Sequence, residues 1–348
     1  MNKKVILIDG SSLLTTNFYG TVPQPYKMAK TDEEREAFVK DFMQTSTGVL
    51  TNGVFGMMES LMKMIEKQKP THLAVAWDLG REKTFRKKLY PLYKSNRSET
   101  KKELKPQFAL AQKVLRDMNI PQFMFEEYEA DDVIGTLSEK YGKEAMVYIW
   151  AKDQDALQLV SDNVRLWFRT DKVDSMYNEI GIDISLLNVP DKCFEFTPES
   201  VRHFYGVEPI QIIDRKAFEG DTSDFIPGIK GVGEKSVVPL LNEFGTVEGI
   251  YEFLEDHDEV ESKMFIRDLG IKSSPYKKMM TTSETELVGK ESALLSKILA
   301  TIKKDIQELN DVSLDDIALN INEEGKKQAF EALEFKSLLE VEKEKVSA

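Results

Sequence analysis

Three apolar runs in this chain each finish in aspartate. "KVILID" (4–9) ends in Asp9, "HLAVAWD" (72–78) in Asp78, and "AMVYIWAKDQD" (145–155) in Asp153 and Asp155. Apolar stretches of this length, bounded by turn residues, predict strands buried on both faces. Between them lie segments of helical period, at 53–68, 107–118 and 132–142, and two shorter apolar runs, "IPQFMF" (120–125) and "NVRLWF" (163–168). Strands alternating with helices predict an α/β fold with a mostly parallel central sheet flanked by helices. Open sheets of this kind carry their sites at the carboxyl ends of the strands. The terminal aspartates therefore fall where chemistry is expected.

More acids join them. "EYEADDVIG" (127–135) crowds Glu129, Asp131 and Asp132 at a helix start, and "GDTSDFIPG" (220–228) adds Asp221 and Asp224. Carboxylates repel unless a cation compensates them. With one Cys and three His in 348 residues, a zinc site is disfavoured, and converging Asp and Glu select a hard divalent ion such as Mg²⁺. Two such ions about 3.5–4 Å apart form the clamp used in phosphodiester hydrolysis.

The net charge of −13 argues against nucleic acid as a partner, but its distribution argues for it. Residues 81–105 hold ten Lys or Arg against three Glu, a local charge of +7. Such a run is the electrostatic footprint of a nucleic-acid protein, and Tyr90 and Tyr93 within it are of a type that stacks on unpaired bases. The Gly-rich "GIKGVGEKS" (228–236) is not a P-loop, because Glu234 stands where Lys must follow. It reads as a helix–hairpin–helix turn that offers backbone N–H groups to phosphate.

Other features bound the reading. Length and 41% apolar content fit one large or two smaller folded domains. The boundary is expected near 196, with an α/β core over 1–196 and a mainly helical region over 197–340. The N-terminus has the pattern of a strand rather than of a signal peptide, and no apolar run approaches the ~20 residues of a membrane span. A reducing, cytoplasmic setting and a monomer are expected.

Taken together, the stretches "LIDGSSLL" (7–14), "WDLGREKTFRKKLYPLYKSNR" (77–97), "EYEADDVIGTL" (127–137), "KDQDALQLV" (152–160), "EGDTSDFIPGIKGVGEKS" (219–236) and "EFGTVEGI" (243–250) resemble the 5′ nucleases of the flap endonuclease and DNA polymerase I 5′→3′ exonuclease family. The resemblance runs over nearly the whole chain and implies a PIN-like nuclease fold with a helical arch at about 81–105. It places metal carboxylates at Asp9, Asp78, Glu129, Asp131, Asp132, Asp153, Asp155 and Asp221, with Asp224 in the outer shell. Lys94, Arg97 and Arg86 match the family's basic residues at the scissile phosphate. Tyr93, Lys87 and Lys88 are expected on DNA, and Gly228, Gly231, Gly233, Lys235 and Ser236 on the duplex, with a K⁺ ion at the hairpin. Two Mg²⁺ ions are implied, with Mn²⁺ as a substitute.

The chain departs from the family pattern at Ala151 and Lys152, where a small residue and Gly usually precede the DxD aspartates. Residues 20–48 and 171–196 are longer than the pattern needs, the first being a candidate substrate contact or lid. The expected activity is a stand-alone, bacterial or phage-type 5′ nuclease. Its substrates would be DNA with 5′ flaps, nicks or ends, and RNA–DNA hybrids. Two rivals differ by feature: a metal-dependent ribonuclease would lack the hairpin motif, and a non-catalytic DNA-binding protein would have lost acids.

Overall fold

The structure is a computed structural model that describes residues 3–80 and 82–340. Arg81, part of the basic run, lies outside the described residues. Strand β1 (Lys4–Asp9) is buried along nearly its whole length. Val5 and Leu7 face one apolar core, and Ile6 and Ile8 face another. This two-sided burial is why the run reads as continuously apolar. Helix α1 (Gly10–Thr21) starts at once, capped by the Asp9 carboxylate, which accepts from the Ser12 N–H at 2.8 Å.

The 20–48 extension folds as α2 (Gln24–Met28), α3 (Asp32–Glu36) and a 3₁₀ turn, Val39–Asp41. Helix α4 (Asn52–Gln68) and strand β2 (His72–Ala76) follow. The expected helical arch is not built as helices. Within 82–104 there is one five-residue helix, α5 (Phe85–Leu89), and the remainder is turns and irregular backbone up to α6 (Lys105–Asp117). Pro91, the Ser-Asn-Arg-Ser stretch at 95–98 and the like charges of the run all work against longer helix here.

Strand β3 is only Gln122–Phe123, followed by α7 (Ala130–Tyr141), β4 (Met146–Ala151) and β5 (Val164–Arg169). After α8 (Val173–Glu179), strand β6 (Cys193–Phe196) closes the edge antiparallel to β5. The sheet order is β3-β2-β1-β4-β5-β6, with β1 to β5 parallel.

Helices α9 (Pro198–Tyr205), α10 (Ile212–Glu219), α11 (Glu234–Phe244), α12 (Val247–Asp256), α13 (Glu259–Asp268), α14 (Tyr276–Met279) and α15 (Gly289–Ala300) come next. Their apolar faces extend the core on the Val5/Leu7 side. The mainly helical region expected over 197–340 packs back onto the α/β core. Residues 301–306 cross α7, with Ile302 N–H on Gln158 (2.8 Å) and Lys303 N–H on Asp132 (2.9 Å). Helix α16 (Glu323–Ala332) then sets Phe330, and the turn after it Phe335, into the Ile6/Ile8 core. Among the described residues no helix is long and apolar enough to cross a membrane.

Candidate metal centre

The chain leaves β1 for β2 on one side and later returns to β4 on the other. The point where strand order reverses leaves a crevice at the carboxyl ends of β1 and β4. Asp9 ends β1, and Asp153 follows β4. Asp78 follows β2 and accepts from the Ala130 N–H at 2.9 Å, tying it to the start of α7 beside Asp131.

These four acids feel one another. Burial pushes the Asp9 carboxyl up to about 7, and Asp78 and then Asp153 add to the rise against the Ser12 hydrogen bond. Asp131 is raised well above the carboxylate range by burial, then by Asp153 and Asp9. Its Oδ1 is buried with no hydrogen-bond partner. An orphaned buried carboxylate oxygen among like charges costs free energy unless a cation satisfies it. The donor set is oxygen only, as a hard divalent ion requires. Among the described residues no three such side chains close around one point.

A second pair of acids lies beside the first. Lys216, on α10, bridges Asp155 and Asp221, its ammonium 2.8 Å from the Asp221 carboxylate and also on Asp155. Burial raises Asp221, but Lys216 and the two Ser223 hydrogen bonds outweigh it and hold the carboxyl down at about 2. Sequence reasoning missed Lys216. Its only signal is a place one helical turn before the GDTSD segment.

Four expected site residues face inward instead. Asp132 is fully buried and takes a two-pronged bond from Arg86 (2.7 Å each), with the Glu129 and Lys303 N–H groups as further donors. It therefore turns away from the acid cluster. Arg86, expected at the phosphate, is 2% exposed. Its five N–H bonds go to Asp132, Glu129 and the Leu299 and Thr301 carbonyls. A guanidinium has five donors, so none remains for a phosphate. Tyr93, expected to stack on a base, is 4% exposed and donates to Glu129 at 2.9 Å. Glu129 also accepts from Arg86 and Lys94 (3.0 and 2.5 Å), so cations of the chain itself already compensate it.

Lys94 and Arg97 sit closer to the crevice. Lys94 Nζ lies on Glu129 and 3.5 Å from Asp224, and the Arg97 guanidinium donates to Asp224. Burial disfavours both charges, but Glu129, Tyr93 and Asp224 together outweigh it at Lys94, and Asp224 with Asp153 and Tyr93 at Arg97, so both stay cationic. Asp224, 3% exposed, thus holds the basic loop rather than facing outward. Most other charges of the run are also paired: Lys83 with Glu126, Lys88 with Glu127, Lys101 with Asp32 and Lys102 with Glu36. Lys87 donates to the Tyr93 carbonyl at 3.1 Å.

In the hairpin, Gly228 has φ +58° and packs on Gly220, where a Cβ would lie 2.3 Å from the Gly220 nitrogen. Gly233 caps α11, Lys235 is exposed and Ser236 half-buried in its first turn. The turn's carbonyls are largely committed: Gly228 accepts from Ser292 (2.5 Å), and Gly231 from the Lys278 ammonium (2.7 Å).

Two family models match this chain. The 5′–3′ exonuclease N-terminal resolvase-like domain matches residues 4–183, and the 5′–3′ exonuclease C-terminal SAM fold matches residues 207–327. A 5′–3′ exonuclease of Halalkalibacterium halodurans is 31% identical over 90% of this chain and 88% of its own length. The chain belongs to the 5′–3′ exonuclease family. Within that family, a Bacillus subtilis 5′–3′ exonuclease is 36% identical over 73% of the chain and 74% of its own length. The DNA polymerase I of Bacillus caldotenax is 36% identical over 98% of the chain, which spans 32% of that polymerase. The chain thus spans about a third of the length of the polymerases it matches. Among solved structures, the T5 5′-exonuclease with bound zinc superposes with a TM-score of 0.56 at 18% identity, over 94% of this chain and 99% of its own. The fold is therefore that of the T5 exonuclease.

Proposed function

We propose that this chain is a divalent-metal-dependent 5′ nuclease that hydrolyses phosphodiesters at 5′ ends and flaps of DNA. The observation that carries the reading is the convergence of Asp9, Asp78, Asp131 and Asp153 at the strand-order reversal, with Asp131 Oδ1 buried and unpartnered. This acid cluster would hold a first Mg²⁺, with waters filling the coordination positions its carboxylates do not reach. Asp155 and Asp221 would contribute to a second once Lys216 yields. Ions bound there supply charge neutralisation and water activation for phosphodiester hydrolysis.

The chain's own cations do the rest. Lys94 and Arg97 stay protonated, and they lie at the edge of the acid cluster. An incoming phosphate competes with Glu129 and Asp224 for them, and once bound it is fixed in line with the acids and its developing charge is stabilised. Arg86, Tyr93 and Asp132 hold this arrangement from beneath. The hairpin at 228–236 offers the free N–H groups at the start of α11 to the duplex backbone. A K⁺ ion at the hairpin would have to displace the exposed Lys278 ammonium from the Gly231 carbonyl. Because the site addresses phosphates rather than bases, it would serve 5′ flaps of DNA and RNA-primed ends alike.

The test is cleavage of a 5′-labelled flap with Mg²⁺, wild type against Asp131→Asn. Cleavage near the branch, reduced in the variant by on the order of 10²–10³-fold, is the expected result. Wild-type protein that binds the flap but never cuts it with Mg²⁺ or Mn²⁺ would sink the enzyme reading.

A further inference from the structure

Tyr93 is the aromatic that its place in the sequence offers for stacking, and it is buried with its hydroxyl on Glu129. The ring left exposed beside the site belongs to another residue. Phe225 is 42% exposed, and no ring or cation contact engages it among the described residues. The other comparably exposed aromatic, Tyr19, packs edge-on against Phe18 at 5.2 Å.

Phe225 also has an unusual backbone. Its φ is +57°, the left-handed region that favours Gly or Asn and that a bulky side chain rarely enters. A sequence that needed only this turn would place Gly, Asn or Asp here. The neighbours explain how the conformation is held. Asp221 and Ile226 exchange two backbone hydrogen bonds (2.9 and 2.8 Å), and the Lys94 N–H donates to the Asp224 carbonyl at 2.8 Å. Asn96 Nδ2 donates to the Thr222 carbonyl at 2.6 Å. Asp224 and Ile226, on either side, are both buried. With its neighbours turned inward and the loop fixed at both ends, the Phe225 ring is driven outward, next to the residue that holds Lys94 and Arg97. Strain of this kind persists where the surroundings over-determine it, and it gathers at sites that use it.

We propose that Phe225 is the base-stacking residue of this nuclease, its ring taking an unpaired base of the strand whose phosphate lies between Lys94, Arg97 and the acid cluster. Every base has a π-face, so the contact is tolerant of sequence and selects for an unstacked nucleotide. A fully paired end would have to give up its stacking to use it. Phe225 thereby favours frayed or flapped ends over blunt duplex. This rests on the nuclease reading above.

The test uses full-length protein in EDTA, where no cleavage interferes. A flap carries 2-aminopurine in its unpaired 5′ strand at the junction, and a blunt duplex serves as control. Wild type is expected to quench the probe. Phe225→Asn is expected to lose the quenching and to bind the flap about 5- to 150-fold more weakly, the equivalent of ~1–3 kcal/mol for one stacked base. Blunt-duplex affinity should be unchanged. Because Asn tolerates the left-handed region, the same variant should melt at a higher temperature, so stability and flap binding move in opposite directions. A purely structural role would move them together. Phe225→Trp should retain both quenching and affinity. If Phe225→Asn quenches and binds as wild type does, the stacking role is overturned alone. If wild type binds neither DNA, the nuclease reading falls with it.

Discussion

Arg86 shows how far a residue's chemistry can be read from sequence, and where the reading stops. Its presence near the site was legible from the TFR stretch, but its direction was not. Direction depends on residues 299–303, which supply the Leu299 and Thr301 carbonyls that take two of its N–H groups. The same holds for Tyr93 and Asp132: residue type and position suggested contact with substrate or metal, and burial decided otherwise. Arg86→Met is therefore expected to cost about 3–5 kcal/mol, because it strands Asp132 and Glu129 as buried, uncompensated charges. Urea unfolding followed by circular dichroism would read this as a lower midpoint at unchanged slope. Arg86→Lys should recover only part, since an ammonium offers three donors where five are in use. Arg97→Ala, which leaves Lys94 and Tyr93 still beside the buried Asp224, should weaken flap binding at a smaller cost in stability than Arg86→Met.

At the level of elements, the basic run and the 20–48 extension belong to one device. Tyr26, buried on α2, donates to the buried Glu103 at 3.1 Å. The acidic helix α3 meets Lys101 through Asp32 (2.8 Å), and Glu36 meets Lys102 (3.1 Å). The acid partners are exposed, where water and salt screen such pairs and leave them weak, so phosphates can displace them. Asp32→Asn combined with Glu36→Gln should release two cations to nucleic acid. Flap binding titrated against KCl should then steepen, the slope of log K against log salt growing by about 1–2. An unchanged slope would mean that these lysines never reach phosphate. The charge of the run could be counted from sequence, but its partners could not, because the acids come from distant segments. The long strands β1, β2 and β4 were legible because both their faces are buried. The four-residue β6 gave no comparable signal, since an edge strand that short carries too little pattern to stand out from the preceding loop.

For the whole molecule, an uncompensated acid cluster makes stability depend on pH and on metal together. The Asp9 carboxyl is held at about 7 against an ordinary 3.8. Between those values the folded protein keeps a proton that the unfolded chain has released, so stability falls as pH rises through that window. Asp221, depressed to about 2, acts in the opposite sense but only below about pH 4. Melting in EDTA should therefore occur at a lower temperature at pH 8 than at pH 5. Mg²⁺ should raise it more at pH 8, where the acids are ionised and binding need not expel a proton. Equal melting temperatures at the two pH values would count against the cluster's burial. The alternation of strands and helices made the sheet readable, whereas the return of the chain's end to the first core did not show, because long-range packing leaves no local period. That return has a consequence for synthesis. Arg86 is bonded to a carbonyl 213 residues later in the chain, and Asp132 to an amide 171 residues later. A nascent chain that has delivered Asp9, Asp78, Asp131, Asp153, Asp155 and Asp221 still lacks the clasp around Arg86 and Asp132 until residues 299–303 have left the ribosome, so the acid cluster is held in place only well after its last acid has been made.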